Sequence, residues 1–334
     1  MNKEIIRFGV IGTNNITEWF LNGGSQVKDF VLTAVYSRSE EKGKAFAEKH
    51  NAKYVFTDLN EMAKSELIDA VYIASPNAIH SEQAILFLNH KKHVLCEKAF
   101  ASNTNEVINM IEAAENNKVI LMEAMKTTQL PNFKIIKDNL HRIGKVRKYF
   151  ASYCQYSSRY DKYREGIVLN AFNQKLSNGG LMDIGVYCIH PMINLFGNPN
   201  EIKANALILE SGVDGEGSIT FKYDEMDAVI MYSKITNSKL PSEIQGEEGN
   251  IIIESINKFE KVKIVFRDGR EEDLTQFHNE YDMCYEIETF ISNIKSVDTE
   301  NTSKLLQTSK WVMETMVETR KQIGLIFPAD LNYN

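Results

Sequence analysis

The sequence predicts an α/β chain of two domains, an N-terminal doubly wound parallel sheet over residues 1–123 and a C-terminal α+β domain with a large, mainly antiparallel sheet over 124–334. Three observations carry this expectation. Between residues 5 and 123, short β-rich runs alternate with helical stretches, the rhythm of βαβ units. Those runs are apolar almost throughout, as strands covered by helices on both faces are. Beyond about residue 125, strands follow one another without helices between them, which implies antiparallel pairing.

The first six runs are IIRFGVIG, FVLTAVYS, KYVF, AVYIAS, HVLCEK and VILMEA. Between them, EEKGKAFAEKH, SEQAILFLNH and NEVINMIEAAENN space their apolar residues at helical intervals and keep charge outside. Six strands in this rhythm complete a Rossmann sheet. In the second half a helix after Pro131 leads to the strand VRKYFASYCQY, a polar segment from Ser157 to Asn178, and an apolar helix from Leu181 to Phe196. The strands IKANALILES, GSITFKYD, DAVIMYSKIT, NIIIES and KVKIVF follow, and helices near Met283–Ser296 and Ser303–Ile323 close the chain.

A chain of 334 residues exceeds the size at which single cores stop growing. Its 43% hydrophobic and 25% charged residues are ordinary for a globular protein. A net charge of −7 argues against a nucleic-acid partner, which needs a basic face. No apolar run nears the roughly 20 residues that span a bilayer, so no membrane partner is expected. Cys96, Cys154, Cys188 and Cys284 lie far apart without zinc-site spacing, and read as reduced packing residues; no metal is expected. The N-terminus leads directly into a short apolar strand with no signal-peptide pattern, and the expected location is cytoplasmic.

The first strand ends in Gly12-Thr13-Asn14-Asn15-Ile16-Thr17, where a helix opens and a pyrophosphate meets a helix N-terminus. Against G-x-G-x-x-G, Gly12 fills the first position, while Asn14 and Thr17 replace the second and third glycines. Asn tolerates left-handed backbone, so Asn14 is expected to hold the tight turn. The second strand ends in Ser37-Arg38, without the carboxylate that NAD-preferring domains place against the ribose. A hydroxyl followed by a guanidinium suits a 2′-phosphate, so NADP is expected in preference to NAD. Ser75, Asn77 and His80 after the fourth strand, with Glu97 and Lys98 at the end of the fifth, complete the expected cofactor-binding set.

Lys98 closes a strand whose carboxyl end is where such sheets bind ligands. Gly179-Gly180 opens the apolar helix, on which Asp183, Tyr187, His190 and Asn194 are spaced by four, three and four and so share one face. An otherwise greasy helix with one polar stripe is buried, and the stripe is expected to line a cleft.

SPNAIHSEQA, VLCEKA, MEA, IGKVR and GGLMDIGVYCIH, in this order and spacing, resemble the glucose-fructose oxidoreductase and inositol dehydrogenase (Gfo/Idh/MocA) family over nearly the whole chain. The likeness is greatest to the branch of dihydrodiol and sugar dehydrogenases, in which Tyr stands where D-x-x-x-H has His, as Tyr187 does. The resemblance implies that Lys98 is the principal catalytic residue, with Asp183 and Tyr187 its partners in catalysis and substrate binding. It also implies a homodimer or tetramer paired through the C-terminal sheet. Ala99 replaces the family's Pro after the lysine, and Lys126 and Thr128 stand where relatives carry an aromatic and an Arg.

The reaction expected is hydride transfer between nicotinamide and a secondary alcohol or carbonyl of a small sugar, polyol or diol. Lys98 would move the hydroxyl proton, Tyr187 would donate or relay it, and Asp183 would orient Lys98 or hold a neighbouring hydroxyl. His190 is either a substrate contact or a satisfied helix histidine, and His80 either braces the cofactor loop or is a plain helix residue. The rival readings are a noncatalytic NADP(H)-binding sensor or regulatory protein and a methyltransferase on the same sheet. For pairing of copies, Ile219, Phe221, Val229 and Met231 are the expected face of the C-terminal sheet.

Overall fold

A computed structural model of the chain describes residues 4–296 and 299–333, and these form two units. In the first, the strands are β1 (Ile6–Ile11), β2 (Phe30–Tyr36), β3 (Tyr54–Phe56), β4 (Ala70–Ile73), β5 (His93–Glu97) and β6 (Leu121–Ala124). They pair in parallel in the order β3-β2-β1-β4-β5-β6, the doubly wound order in which the strand sequence reverses between β1 and β4. The helices are α1 (Asn15–Gly24), α2 (Glu40–Lys49), α3 (Leu59–Lys64), α4 (His80–Asn89) and α5 (Thr104–Asn117). Side chains of Asn14, Ser39, Asp58 and Asn103 cap α1, α2, α3 and α5. One face of the sheet buries an aromatic core in which Phe20 stacks on Tyr72 with ring centroids 3.7 Å apart.

The second unit opens with α6 (Pro131–Asn139), β7 (Val146–Cys154) and α7 (Tyr160–Arg164). A π-helical turn over Leu181–Gly185 runs into α8 (Val186–Phe196), where the sequence suggests one uniform helix. The strands β8 (Glu201–Ile208), β9 (Asp214–Lys222), β10 (Asp227–Ser233), β11 (Ser242–Gly246), β12 (Gly249–Ile253), β13 (Val262–Phe266) and β14 (Glu271–Asp273) join β7 in an eight-stranded sheet ordered β14-β13-β12-β11-β7-β10-β9-β8. All neighbours pair antiparallel except β7 and β10, which are parallel. β11 and β14 escape a reading by apolar runs, because SEIQG holds one apolar residue and EED none.

Two differences from the sequence reading concern this sheet and the unit boundary. Ile219 and Phe221 pair with Ile230 and Ala228 on the buried face, whereas Val229 and Met231 lie on the other, so the four expected residues do not share a face. The pleat dictates this, because residues directly opposite on paired strands point the same way. The open face has a half-buried apolar row of Phe150, Val229, Met231 and Ile252. Further, α9 (Cys284–Ser296) packs on α1, and Asn279–Lys310 cluster with the first unit instead of the second. The second unit regains the chain at Trp311 within α10 (Thr299–Ile323). The apolar stripe of α9 drives its docking, since Ile287, Phe290 and Ile291 enter the core that holds Phe8 and Phe20. The cysteines are unpaired, and no helix among the described residues is long and apolar enough to cross a membrane.

Candidate active site

The first unit gathers eleven of the expected residues at the carboxyl edge of its parallel sheet. Gly12 follows β1 with φ +107°, and a Cβ there would stand 2.8 Å from the Ala74 carbonyl oxygen, so the close approach of β1 and β4 requires glycine. Asn14 is not left-handed as expected but extended, with φ −109°. Its side chain does other work. Oδ1 accepts from the backbone N–H of Ile16 and Thr17, and Nδ2 donates to the Ala74 carbonyl over 2.9 Å, pinning the helix start to the end of β4. Thr13 is exposed and Ile16 half-buried beside it.

At the end of β2, Ser37 Oγ accepts from Ser39 N–H at 3.3 Å, and Arg38 is exposed. Asn77 is buried in a short turn before α4, and Ser75 Oγ donates to Gln83. His80 is fully buried, with Nε2 2.8 Å from the Ser75 carbonyl and Nδ1 3.0 Å from that of Ala99. The ring thus lies between the loop after β4 and the turn carrying Lys98, with one nitrogen facing a carbonyl of each, and burial, opposed by these carbonyls, lowers its pKa. These residues fit a dinucleotide. A glycine cradle opens at a helix N-terminus, and an exposed guanidinium stands at the second strand end.

Lys98 is half-buried, and the Lys98–Ala99 peptide is cis at the place of the family's Pro. Beneath it lie carboxyls in an apolar setting. Glu97 accepts from the Tyr72 hydroxyl and, at 3.3 Å, from the Lys98 N–H. Burial raises its pKa, and Tyr72 and the charge of Lys98 oppose that rise. Glu286, on α9, has both carboxylate oxygens buried without a hydrogen bond, and burial and then Glu97 push its pKa well up. On the opposite sheet face, Glu123 is pushed up to about 7, chiefly by burial, while the Ser309 hydroxyl pulls the other way. Lys126 forms an ion pair with Asp282 at 2.5 Å, and Thr128 lies in the same short turn as Lys126.

The second unit places Asp183 in the π turn and Tyr187 in α8, both half-buried. Gly179, with φ +146°, precedes the π turn, and a Cβ there would fall 2.1 Å from Asp214 Oδ1. Fully buried Asp214 accepts from Leu181 N–H over 2.7 Å and so anchors the helix start. Asp183 Oδ2 accepts from the Lys234 ammonium at the end of β10. Tyr187 meets Tyr153 edge to face, with centroids 5.6 Å apart. His190 is only 3% exposed, and burial lowers its pKa to about 3.

Sequence reasoning missed Lys234, Asp214 and Glu286. Lys234 follows an apolar run as any solvent-facing lysine does, and Asp214 opens a hydrophilic stretch. Glu286 alone gave a signal, since it lies beside Ile287 and four residues before Phe290 on an amphipathic helix.

Residues 6–125 match a family model described as the oxidoreductase family with an NAD-binding Rossmann fold, and residues 139–252 match the GFO/IDH/MocA C-terminal domain. Over 326 residues, 98% of this chain and 99% of the relative, identity is 56% with scyllo-inositol 2-dehydrogenase (NADP(+)) IolU of Bacillus subtilis (strain 168). Identity is 29% over 338 residues with trans-1,2-dihydrobenzene-1,2-diol dehydrogenase of Xenopus laevis, covering 96% of this chain and 99% of that one. The crystal structure of KijD10, a 3-ketoreductase from Actinomadura kijaniata in complex with NADP, shares the fold with a TM-score of 0.81 at 21% identity, over 96% of this chain and 98% of that one.

Proposed function

The chain belongs to the GFO/IDH/MocA oxidoreductase family, and from that premise we propose that it is an NADP-linked dehydrogenase of cyclic polyols in which Lys98 moves the proton. It is an NAD(P)-dependent enzyme that passes a hydride between nicotinamide and the CH–OH or carbonyl carbon of a sugar, polyol or diol. The observation that carries the finer reading is the place of Lys98, whose turn is tied through His80 to the same sheet edge that presents Gly12. The 56% identity to a scyllo-inositol dehydrogenase supports the substrate class.

The dinucleotide would be held by Gly12, Thr13, Asn14 and Ile16 at the helix start, by Ser37 and Arg38 at the adenosine end, and by Ser75, Asn77 and Glu97 along the edge. When bound, it supplies the hydride acceptor or donor. The Lys98 amine takes the hydroxyl proton during oxidation and returns it during reduction, and its ammonium form steadies a developing alkoxide. Asp183 accepts hydrogen bonds from substrate hydroxyls, and Tyr187 relays the proton. A noncatalytic sensor would have no use for these groups, and the relatives above are dehydrogenases.

The test is NADP⁺ reduction with scyllo-inositol as substrate. Turnover with NADP⁺ above that with NAD⁺ is the expected result, and no turnover with any inositol would refute the polyol assignment. The proposal includes a homodimer, or a dimer of such dimers, joined through the open sheet face around Phe150 and Val229, and a monomer in sedimentation at micromolar concentration would contradict it. Unpaired cysteines suit a reducing compartment, and the cytoplasm is the proposed location.

A further inference from the structure

Lys234 is the side chain in the second unit whose placement demands a reason. It is only 3% exposed, yet lysine is almost never buried unless paired. Its backbone is fixed on both sides, with its N–H donating to Gly215 O and its carbonyl accepting from Ser157 N–H, each at 2.8 Å. The amine lies 5.5 Å from the Phe172 ring centroid and donates to Asp183 Oδ2. Asp183 is 33% exposed, so the pair is lopsided, with the cation sealed in and the carboxylate opening outward. A pair formed for stability alone has no need of that asymmetry, because replacing buried ion pairs by apolar groups is often neutral or better. Asp183 also stands in the π turn, a rare feature found frequently at functional sites.

We propose that Lys234 is a positioning residue of the dehydrogenase reaction, holding Asp183 as a charged, acceptor-only carboxylate in the orientation that takes hydrogen bonds from substrate hydroxyls. The inference rests on the polyol dehydrogenase reading above and deepens it. An ionised carboxylate accepts and cannot donate, so the subsite at Asp183 selects hydroxyl donors. The buried ammonium balances its charge, which lets the subsite serve a neutral polyol. A protonated or swung-away Asp183 would lose that selection while leaving the dinucleotide end, in the other unit, untouched.

The test uses the full-length enzyme with scyllo-inositol and NADP⁺, and NADPH binding is followed by fluorescence. Lys234→Met is expected to raise KM for scyllo-inositol by about tenfold or more, the cost of a lost charge-assisted contact, with a smaller change in kcat and unchanged NADPH affinity. Lys234→Arg keeps the charge and should recover most of the loss. In an Asp183→Asn background, adding Lys234→Met should change KM by less than about twofold, because the two residues act as one. An unaltered KM in Lys234→Met, or an equal rise in both backgrounds, would overturn the inference. If Lys234→Met does not fold, Lys234→Gln, which keeps a donor and removes the charge, takes its place in both backgrounds, and an unaltered KM in Lys234→Gln overturns the inference in the same way. A wild-type enzyme inactive on every inositol refutes the polyol reading and this inference together, whereas an active wild type with an indifferent Lys234→Met refutes this inference alone.

Discussion

Tyr72 donates its hydroxyl hydrogen to Glu97, the residue immediately before Lys98, and both partners are buried. The bond joins neighbouring strands beneath the proposed catalytic amine, and the Tyr72 ring is held flat against Phe20. Tyr72→Phe keeps the stack and removes only the donor. It should destabilise the protein by about 1–3 kcal/mol in urea unfolding, the cost of leaving a buried acceptor less satisfied. A stability equal to wild type would show that Glu97 finds another donor.

The buried carboxyls set a pH dependence of stability. Glu123 holds its proton to about 7 in the folded protein against an ordinary value of 4.5. Between those values the folded state binds more protons than the unfolded one, so the stability this group contributes is full below 4.5 and is lost as pH rises through 7. Glu97 and Glu286 are shifted in the same direction. Glu123→Gln, always neutral, should gain on wild type between pH 5 and pH 8 by up to roughly 3 kcal/mol. Unfolding curves at the two pH values check this, and a constant difference would contradict it.

Much of the fold was legible because its signals are local. Six apolar runs separated by helical spacing give the parallel sheet, and Gly12 marks the turn whose geometry admits no side chain. Of the expected stripe, Asp183, Tyr187 and Asn194 are half-buried while His190 is buried, and the π-helical first turn is not announced by the four-residue spacing. What was not legible depends on contacts distant in sequence. Lys234 lies 51 residues from Asp183, and only the β10 register brings it there. Ile219 and Val229 look alike as strand residues, but a pairing register decides which face each takes, and the sequence does not print it. Likewise, the affinity of α9 for the first unit is written in an apolar stripe that any sheet could accept.

Arg38 is the proposed determinant of cofactor choice. Its guanidinium is exposed at the end of β2, where the 2′-phosphate of NADP is expected. Arg38→Ala should weaken NADPH binding by about 1.5–3 kcal/mol, the worth of hydrogen bonds to a charged group, and leave NADH binding nearly as it was. Fluorescence titration of both cofactors measures the difference. Parallel losses for the two, or none, would remove Arg38 from the role.

Lys98 is the proposed proton-transfer group, and Lys98→Met removes its amine while keeping the length of the side chain. The experiment measures NADPH affinity and scyllo-inositol turnover side by side for the variant and the wild type. Cofactor affinity close to wild type is expected, with turnover reduced by about 10² to 10⁴, the range for losing a general acid or base. Turnover near wild type at normal NADPH affinity would contradict it and leave Lys98 as a lysine that merely ends a strand.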